Sequence, residues 1–374
     1  MCGIGAIFDP AGTSGQHAAE RMVEALRHRG PDGEALRRIG PVALAHTRLA
    51  IIDVAGGDQP LDSEDGRVTA IVNGEIYNHR SLRSALERRG HRWATNSDSE
   101  VVVHGYEEHG PDFVRHLNGI FAFVIWDDRE QRLVAARDAF GVKPLYWWTD
   151  GTRVALASEI GALLDAGLVK PAVDRIALDH YLACRFVPSP RTVFEGVSKL
   201  PPASTLVLEN GSAPRITSWR EAPGPQLDGR DDELAGELSE RFTDAVKRQM
   251  MSDVPYGAFL SGGVDSAGVV AAMKRRSGPP PTTFTIGFPG HGEVLDERAP
   301  RVIVTNRGRL GRRTTGRATG GRPRAPARPA PGRASAAGAV RLSRYRPEDK
   351  TLAEVHGGTP FGDAHLLAPP RETQ

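Results

Sequence analysis

The second residue is a cysteine, in the opening Met1-Cys2-Gly3-Ile4. Removal of the initiator methionine would leave a first residue that carries both a thiol and an α-amine. An α-amine has a pKa of about 7.7–8 and a free thiol one of about 8.5, so the amine can accept the thiol proton at neutral pH. N-terminal nucleophiles use such an amine as their base. A small buried core cysteine is the alternative, because that is the usual place of a free cysteine.

Three further segments carry groups that could serve this nucleophile. Asn73-Gly74-Glu75 follows an apolar run and supplies a side-chain amide and a backbone N–H, a donor pair suited to an oxyanion. Arg48 offers a planar fork for a carboxylate, and Asp98 offers a counter-charge for an ammonium group. Each also has an ordinary explanation: Asn-Gly is a common turn, Asp98 suits a helix N-cap, and Arg48 suits a surface.

A second kind of chemistry is indicated by Ser261-Gly262-Gly263-Val264-Asp265-Ser266, between an apolar run and a helical run. Two glycines allow the backbone N–H groups to face one way, and a helix N-terminus adds its positive dipole end, which favours a bound phosphate. It is not a Walker loop, because no Gly-Lys-Ser/Thr follows at the required spacing. A flexible turn is the alternative, but the position between strand and helix favours the anion cradle.

The elements that must position these residues fall into two patterns. Helical runs at 17–27, 82–89 and 100–109 are separated from strand-like runs at 4–8, 42–52, 68–77, 121–126, 133–136 and 144–148. Strands and helices in separate runs predict a layered α+β domain over residues 2–213. A segment rich in Pro, Gly and charge, 214–232, is predicted to be a linker. Residues 233–299 then run helix, strand, turn, helix, strand, the opening of a parallel α/β sheet.

Charge is distributed unevenly along the 374 residues, whose formal net charge is +2. Residues 300–374 hold 15 Lys and Arg against 5 Asp and Glu, a net of +10, so the remainder carries 2 − 10 = −8. No helical or strand periodicity survives in this Arg-, Ala-, Gly- and Pro-rich tail, and we predict that it is disordered.

Composition also indicates the cellular compartment of the protein. Two cysteines, no apolar run near ~18 residues and no secretory signal predict a cytoplasmic protein without a membrane partner. Cys184, in a helical run, is predicted to be structural. The 12 histidines show no paired ligand spacing of the zinc-protease kind, so the sequence predicts no zinc site.

Seven motifs occur in a fixed order along the first 144 residues. They are Cys2-Gly-Ile, Arg29-Gly-Pro-Asp32, Thr47-Arg-Leu49, Asn73-Gly-Glu-Ile-Tyr-Asn78, Ser97-Asp98, Gly119-Ile-Phe-Ala-Phe123 and Arg137-Asp-Ala-Phe-Gly-Val-Lys-Pro144. This order resembles the class II glutamine amidotransferases, and within them the glutamine-hydrolysing asparagine synthetases, from residue 2 to about 299. The resemblance implies an N-terminal nucleophile hydrolase fold, a four-layer αββα sandwich.

The resemblance also implies site residues. Cys2 becomes the nucleophile, with Asn73 and Gly74 as oxyanion donors. Glutamine would be bound by Arg48, Leu49, Ile51, Ile52, Asn73, Gly74, Glu75 and Asp98.

Residues 233–299 resemble the start of a PP-loop ATP pyrophosphatase domain, which implies ATP and Mg²⁺. Residues placed at ATP are Leu260, Ser261, Gly262, Gly263, Val264, Asp265, Ser266 and Ile286, with Asp265 at the metal. The family reaction activates the aspartate β-carboxylate as an acyl-adenylate, and ammonia from glutamine then displaces AMP. Glutamine, aspartate and ATP would be the small-molecule partners.

After residue 299 the family's second glycine- and acid-rich loop is not found, so we expect an incomplete synthetase half, from a truncated or frameshifted reading frame. A native basic tail is the alternative. Two other functions stay open: a glutaminase-only product, and a non-catalytic protein whose basic tail binds nucleic acid without sequence preference. A β-lactam-forming synthetase would need no Cys2, and a sugar-phosphate amidotransferase would lack the 261–266 loop. The sequence does not give the oligomeric state, and a homodimer stays open.

Overall fold

The computed structural model describes residues 1–12, 15–209, 212–220, 224, 229–261, 263–275 and 281–287, with side chains as far as 285, and the backbones of four short strands beyond residue 300. The chain divides into two units, Met1–Leu227 and Asp228–Gln374. Within the described ranges, no helix has the length and apolar character needed to cross a membrane.

The first unit is built from short strands and helices. In chain order these are β1 (Gly3–Phe8), α1 (Gly15–Leu26), β2 (Gly33–Ile39), β3 (Val42–Arg48), β4 (Leu61–Asp62), β5 (Val68–Ile76), α2 (His79–Glu87), α3 (Val101–His109), β6 (Gly119–Asp127), β7 (Arg132–Arg137), β8 (Tyr146–Thr149), β9 (Val154–Ala157), α4 (Ile160–Asp165), α5 (Arg175–Cys184), β10 (Val197–Lys199), β11 (Ser204–Glu209) and β12 (Arg215–Ser218). Short 3-10 helices cover Arg27–Arg29, Asp98–Glu100 and Gly110–His116.

These strands form two six-stranded sheets, sheet A in the order β10-β8-β9-β1-β3-β2 and sheet B in the order β12-β11-β7-β6-β5-β4. Neighbouring strands in both sheets pair antiparallel. The strands of such sheets send alternate side chains to opposite faces, and here both faces of the central strands are buried.

Three apolar clusters define the layers. Ile4 of β1 and Ile71 of β5 belong to a cluster between the two sheets. Ile7, on the opposite face of β1, packs with Met22 of α1. The outer face of sheet B packs with α3, whose residues Val102 and Tyr106 lie in the third cluster. Two antiparallel sheets therefore lie between layers of helices, as the family resemblance implied.

The end of this unit differs from the prediction. Residues 215–218, assigned from sequence to the linker 214–232, form β12 at the edge of sheet B, and Trp219 is buried behind it. The strand was missed because all four of its residues are exposed, with Ile216 its only apolar side chain, so no core pattern marks it.

The second unit begins with α6 (Asp231–Gln249), β13 (Gly257–Phe259), α7 (Val264–Arg275) and β14 (Thr282–Gly287). β13 and β14 pair in parallel, with Gly257 opposite Thr282, which is the strand–helix–strand unit expected from the sequence. In the predicted disordered tail, the structure describes only β15 (Val302–Val304), β16 (Leu310–Arg312), β17 (Val340–Arg344) and β18 (Ala353–Val355). The rest of that prediction lies outside the described residues.

Candidate functional site

Sheets A and B turn polar side chains toward each other at one end of the space between them. Ile4 and Ile71 are in the inter-sheet cluster. Alternation along a strand places Cys2, two residues before Ile4, and Asn73, two residues after Ile71, toward that same space. The charge of Glu75, two residues beyond Asn73, acts on the ionisation of the Cys2 thiol, so these groups belong to one site.

Cys2 and the residue after it are fixed by hydrogen bonds to the segments around Arg29 and Leu49. Its Sγ accepts a hydrogen bond from the backbone N–H of Leu49 at 3.4 Å, and its carbonyl oxygen accepts one from Nε of Arg29 at 3.0 Å. The N–H of Gly3 donates to Oγ1 of Thr47 at 3.1 Å. A Cβ on Gly3 would lie 2.5 Å from that same oxygen, so only glycine fits beside the cysteine.

The electrostatics of this position favour a neutral amine. Burial, helped by the charges of Lys143 and Arg29, lowers the pKa of the terminal amine of Met1 to about 6. Burial raises the pKa of the Cys2 thiol, while the N–H of Leu49, the terminal amine and Lys143 act in the opposite direction. Removal of Met1 would leave the amine of Cys2 in the same surroundings, and we expect it to be unprotonated at pH 7 and able to accept a proton from the thiol.

Lys143 is a site residue to which the sequence argument gave no role. Its ammonium group is buried, with 5% of the residue exposed, and burial lowers its pKa. The turn that positions Lys143 is organised by the carboxylate of Asp138. That carboxylate accepts hydrogen bonds from the backbone N–H groups of Phe121, Phe140, Val142 and Lys143 at 2.9–3.3 Å. The motif Arg137–Pro144 was the available signal, but its order alone does not show which side chain faces the thiol.

Asn73 and Gly74 lie in β5, opposite Ala122 and Phe121 of β6. Asn73 is 1% exposed, and both its Nδ2 and its Oδ1 are buried without a hydrogen-bond partner among the residues that the structure describes. A Cβ on Gly74 would lie 2.1 Å from the carbonyl oxygen of Ile120, so the strands can approach this closely only at a glycine.

Asp98 is buried at the start of the 3-10 helix Asp98–Glu100. The N-cap of this helix is Ser97, whose Oγ accepts from the N–H of Ser99 at 3.2 Å, so Asp98 is not the cap. Its Oδ2 accepts from the N–H of Ile76 at 2.6 Å, which fixes the carboxylate at the end of β5, close in sequence to Asn73.

Arg48 ends β3 and is 8% exposed. Its guanidinium donates to the carbonyl oxygens of Asp53 at 2.6 Å and Val54 at 3.2 Å, and to the carboxylate of Asp58 at 2.8 Å. Arg48 therefore organises the loop that follows Leu49–Ile52. Its binding of a substrate carboxylate stays a prediction, as do the pocket-lining roles of Leu49, Ile51 and Ile52, which are half-exposed here.

The predicted phosphate loop lies between β13 and α7. The N–H of Leu260 donates to the carbonyl oxygen of Phe284 at 2.8 Å, and the hydroxyls of Ser261 and Ser266 lie 3.1 Å apart. Asp265 is exposed in the first turn of α7. Gly262 and the side chain of Ile286 lie outside the described residues.

Both cysteines are free thiols. Cys184, predicted to be structural, is exposed at the end of α5. Ala177 is the one residue of α5 that is buried, so Cys184 does not pack in a core and the predicted structural role is wrong.

Comparison with known proteins identifies the families that the two units match. Residues 1–219 match the family model of the glutamine amidotransferase domain, and residues 237–302 match that of asparagine synthase. The first match spans more than half of the chain, and the chain belongs to the glutamine amidotransferase domain family.

The curated relatives of this chain include several asparagine synthetases. Asparagine synthetase [glutamine-hydrolyzing] 1 of Bacillus subtilis is 36% identical over 314 residues, covering 82% of this chain and 49% of the relative. Asparagine synthetase [glutamine-hydrolyzing] of Sandersonia aurantiaca is 41% identical over 284 residues, covering 74% and 47%. The resemblance to glutamine-hydrolysing asparagine synthetases inferred from the motifs is confirmed. The chain spans about half the length of the curated relatives it matches.

Among solved structures, a glutamine phosphoribosylpyrophosphate amidotransferase from B. subtilis aligns with 73% of this chain and 64% of its own, at 16% identity and a TM-score of 0.44.

Proposed function

We propose that the first unit, an N-terminal nucleophile hydrolase from residue 2 through the edge strand β12, hydrolyses glutamine to glutamate and ammonia. Cys2 is its nucleophile once Met1 has been removed. The thiol gives its proton to the terminal amine, and the sulfur attacks the side-chain amide carbon of glutamine. The C–N bond breaks, the nitrogen takes the proton and leaves as ammonia, and water then hydrolyses the γ-glutamyl thioester.

The observation that carries this proposal is the unpaired amide of Asn73. A buried polar group without a partner costs about 1–3 kcal/mol, so its retention calls for a ligand. An oxyanion forming next to the Cys2 sulfur would accept hydrogen bonds from Nδ2 of Asn73 and from the N–H of Gly74. Arg48, Glu75 and Asp98 would bind the charged end of glutamine.

The second unit supports an ATP-dependent step. The N–H groups at the start of α7 and the hydroxyls of Ser261 and Ser266 suit the pyrophosphate oxygens of ATP. The exposed carboxylate of Asp265 fits Mg²⁺, which takes one or two carboxylates together with phosphates and water. By analogy with the named relatives, ATP would activate the aspartate β-carboxylate as an adenylate, and ammonia would displace AMP to give asparagine.

Glutamate release from glutamine, measured with and without ATP and aspartate, tests both steps. Cys2→Ala should abolish glutamate release, whereas Cys184→Ala should leave it unchanged. Undiminished release in Cys2→Ala would overturn the first step. Glutamate release without pyrophosphate release would leave the first unit a glutaminase and overturn the second step.

A further inference from the structure

Four side chains from three segments of the chain converge beside α3, and none of them is among the residues assigned to glutamine. Glu64, His91, His104 and Glu107 each offer one ligand atom, and these four atoms lie within 4.8 Å of one another. Glu64 comes from the turn before β5, His91 from the segment after α2, and the other two from α3 itself. We propose that this cluster is a structural Zn²⁺ site.

The distances suit a small tetrahedral cation. Zinc bonds of about 2.0–2.2 Å place neighbouring ligand atoms of a tetrahedron roughly 3.3–3.6 Å apart. Nδ1 of His104 lies 3.3 Å from Oε2 of Glu64 and 3.4 Å from Oε2 of Glu107. Nδ1 of His91 lies 3.7 Å from Oε2 of Glu107, and its 3.3 Å contact with Glu64 is to the other carboxylate oxygen, Oε1. Two imidazole nitrogens with two carboxylates are a donor set that zinc accepts.

A second observation points to a bound ion. His104 is 1% exposed, and its Nδ1 is buried without a hydrogen-bond partner, as is Oε2 of Glu107. Both atoms face the centre of the cluster. These two atoms lie 3.4 Å apart, as an ion pair whose geometry is not that of a hydrogen bond, and a cation between them would bind both.

The ring nitrogens of His91 and His104 that point away from the cluster make the contacts typical of metal-binding histidines. Metal-binding histidines almost always give their other ring N–H to a carboxylate, a carbonyl or water, which fixes the tautomer. Nε2 of His91 lies 3.1 Å from Oε1 of Glu108, and Nε2 of His104 lies 3.4 Å from Oε1 of Glu100. In both rings Nδ1 is thereby left for the metal.

The carboxylates are also fixed from outside the cluster. Oε1 of Glu64 accepts from the N–H of Arg92 at 2.8 Å, and Oε1 of Glu107 accepts from Arg129 at 2.9 Å. Each keeps its Oε2 directed at His104. Four protein ligands without an open position describe a structural rather than a catalytic zinc site. Bound zinc would tie the turn at Glu64 and the segment at His91 to α3.

The test uses the full chain carrying Cys2→Ala and Cys184→Ala, so that no thiolate competes for metal. After treatment with a chelator, the protein is dialysed against Zn²⁺, and bound zinc is counted by mass spectrometry. We expect about one zinc per chain, a rise in Tm with zinc, and the visible bands of tetrahedral Co²⁺ when cobalt replaces zinc.

Adding His91→Gln or Glu64→Gln, both at partly exposed positions, should lower zinc uptake at least tenfold. His17→Gln, at an exposed histidine on α1, should leave it unchanged. Uptake below one tenth of an equivalent in the parent chain would overturn the proposal, and would leave His104 an imidazolium paired with its carboxylates. Equal uptake in parent and site variants would overturn it as well, because the zinc would then be bound elsewhere.

Discussion

Asn73 has an amide that is buried and has no hydrogen-bond partner in the part of the chain that the structure describes. Replacement by leucine, which has a similar volume, removes an oxyanion donor together with a buried unsatisfied group. We expect kcat for glutamate release to fall by about 10²–10³, the usual effect of losing such a donor. The free energy of unfolding, measured by urea denaturation, should stay the same or rise.

Asn78 is the matched control for that substitution. Its Nδ2 donates to the carbonyl oxygen of His116, and its Oδ1 accepts from the N–H of Asn118. Asn78→Leu should therefore lower the free energy of unfolding by about 1 kcal/mol or more. A larger stability loss in Asn73→Leu than in Asn78→Leu would contradict an unpaired amide at residue 73.

Lys143 should set the acidic limb of the pH–rate profile. Burial and the charge of Lys143 lower the pKa of the terminal amine of Met1, and we expect the same for the amine of Cys2, which must be neutral to accept the thiol proton. Lys143→Met should raise that pKa, so the rate of glutamate release should begin to fall at a higher pH than in the parent protein. Lys170→Met removes an exposed lysine and should not move the profile. A shift to lower pH in Lys143→Met would contradict the assigned role.

At the level of elements, the close contact of β5 with β6 depends on Gly74. An added Cβ would meet the carbonyl oxygen of Ile120, which is backbone and cannot rotate away. Gly74→Ala should therefore lower the free energy of unfolding by about 3 kcal/mol, the upper end for overpacking. Gly161→Ala, in open space on α4, should raise it by up to about 1 kcal/mol. Equal stability of the two variants in urea denaturation would show that β5 can shift without cost.

The strands that the sequence predicted are those with a long apolar run. Val68–Ile76 and Gly119–Asp127 were recognised because buried residues fill both strands. Gly33–Ile39 was missed, since it is an edge strand in which exposed Glu34, Leu36 and Arg38 alternate with half-buried positions, one of which is Arg37. A charged, half-exposed strand looks like a loop until its partner is known.

The same limit applies to the site. Cys2 and Asn73 stand in short motifs whose order is visible in the chain. Lys143 is brought into the site by the turn around Asp138. The sequence does not show that a lysine will be buried, so its role could not be predicted. The sequence predicted no zinc site because His91 and His104 are not spaced as a ligand pair. The fold brings them to a ring-centroid distance of 5.0 Å.

At the scale of the whole molecule, the first unit exposes an apolar surface on α5 and the segment after it. Leu178, Tyr181 and Phe186 are 42–60% exposed and line a groove of about 570 Å³. Leu182, beside them, is 74% exposed. Exposed apolar surface of this kind favours self-association.

Leu182→Glu should raise the ammonium sulfate concentration at which the protein precipitates, without lowering Tm, because the leucine is barely packed. Ala183→Glu adds the same charge on the same helix and leaves the large apolar side chains in place, so its effect should be smaller. Equal solubility of the two variants would assign the effect to charge alone.

The burial of the start of β1 has a practical consequence for anyone who prepares this protein. The backbone at Cys2 and Gly3 lies against Thr47 and Leu49 with no room for an added methyl group on Gly3. A purification handle joined upstream would convert the amine of Cys2 into an amide that cannot take up a proton. Such a fusion should fold and yet release no ammonia until a protease exposes the cysteine as the first residue.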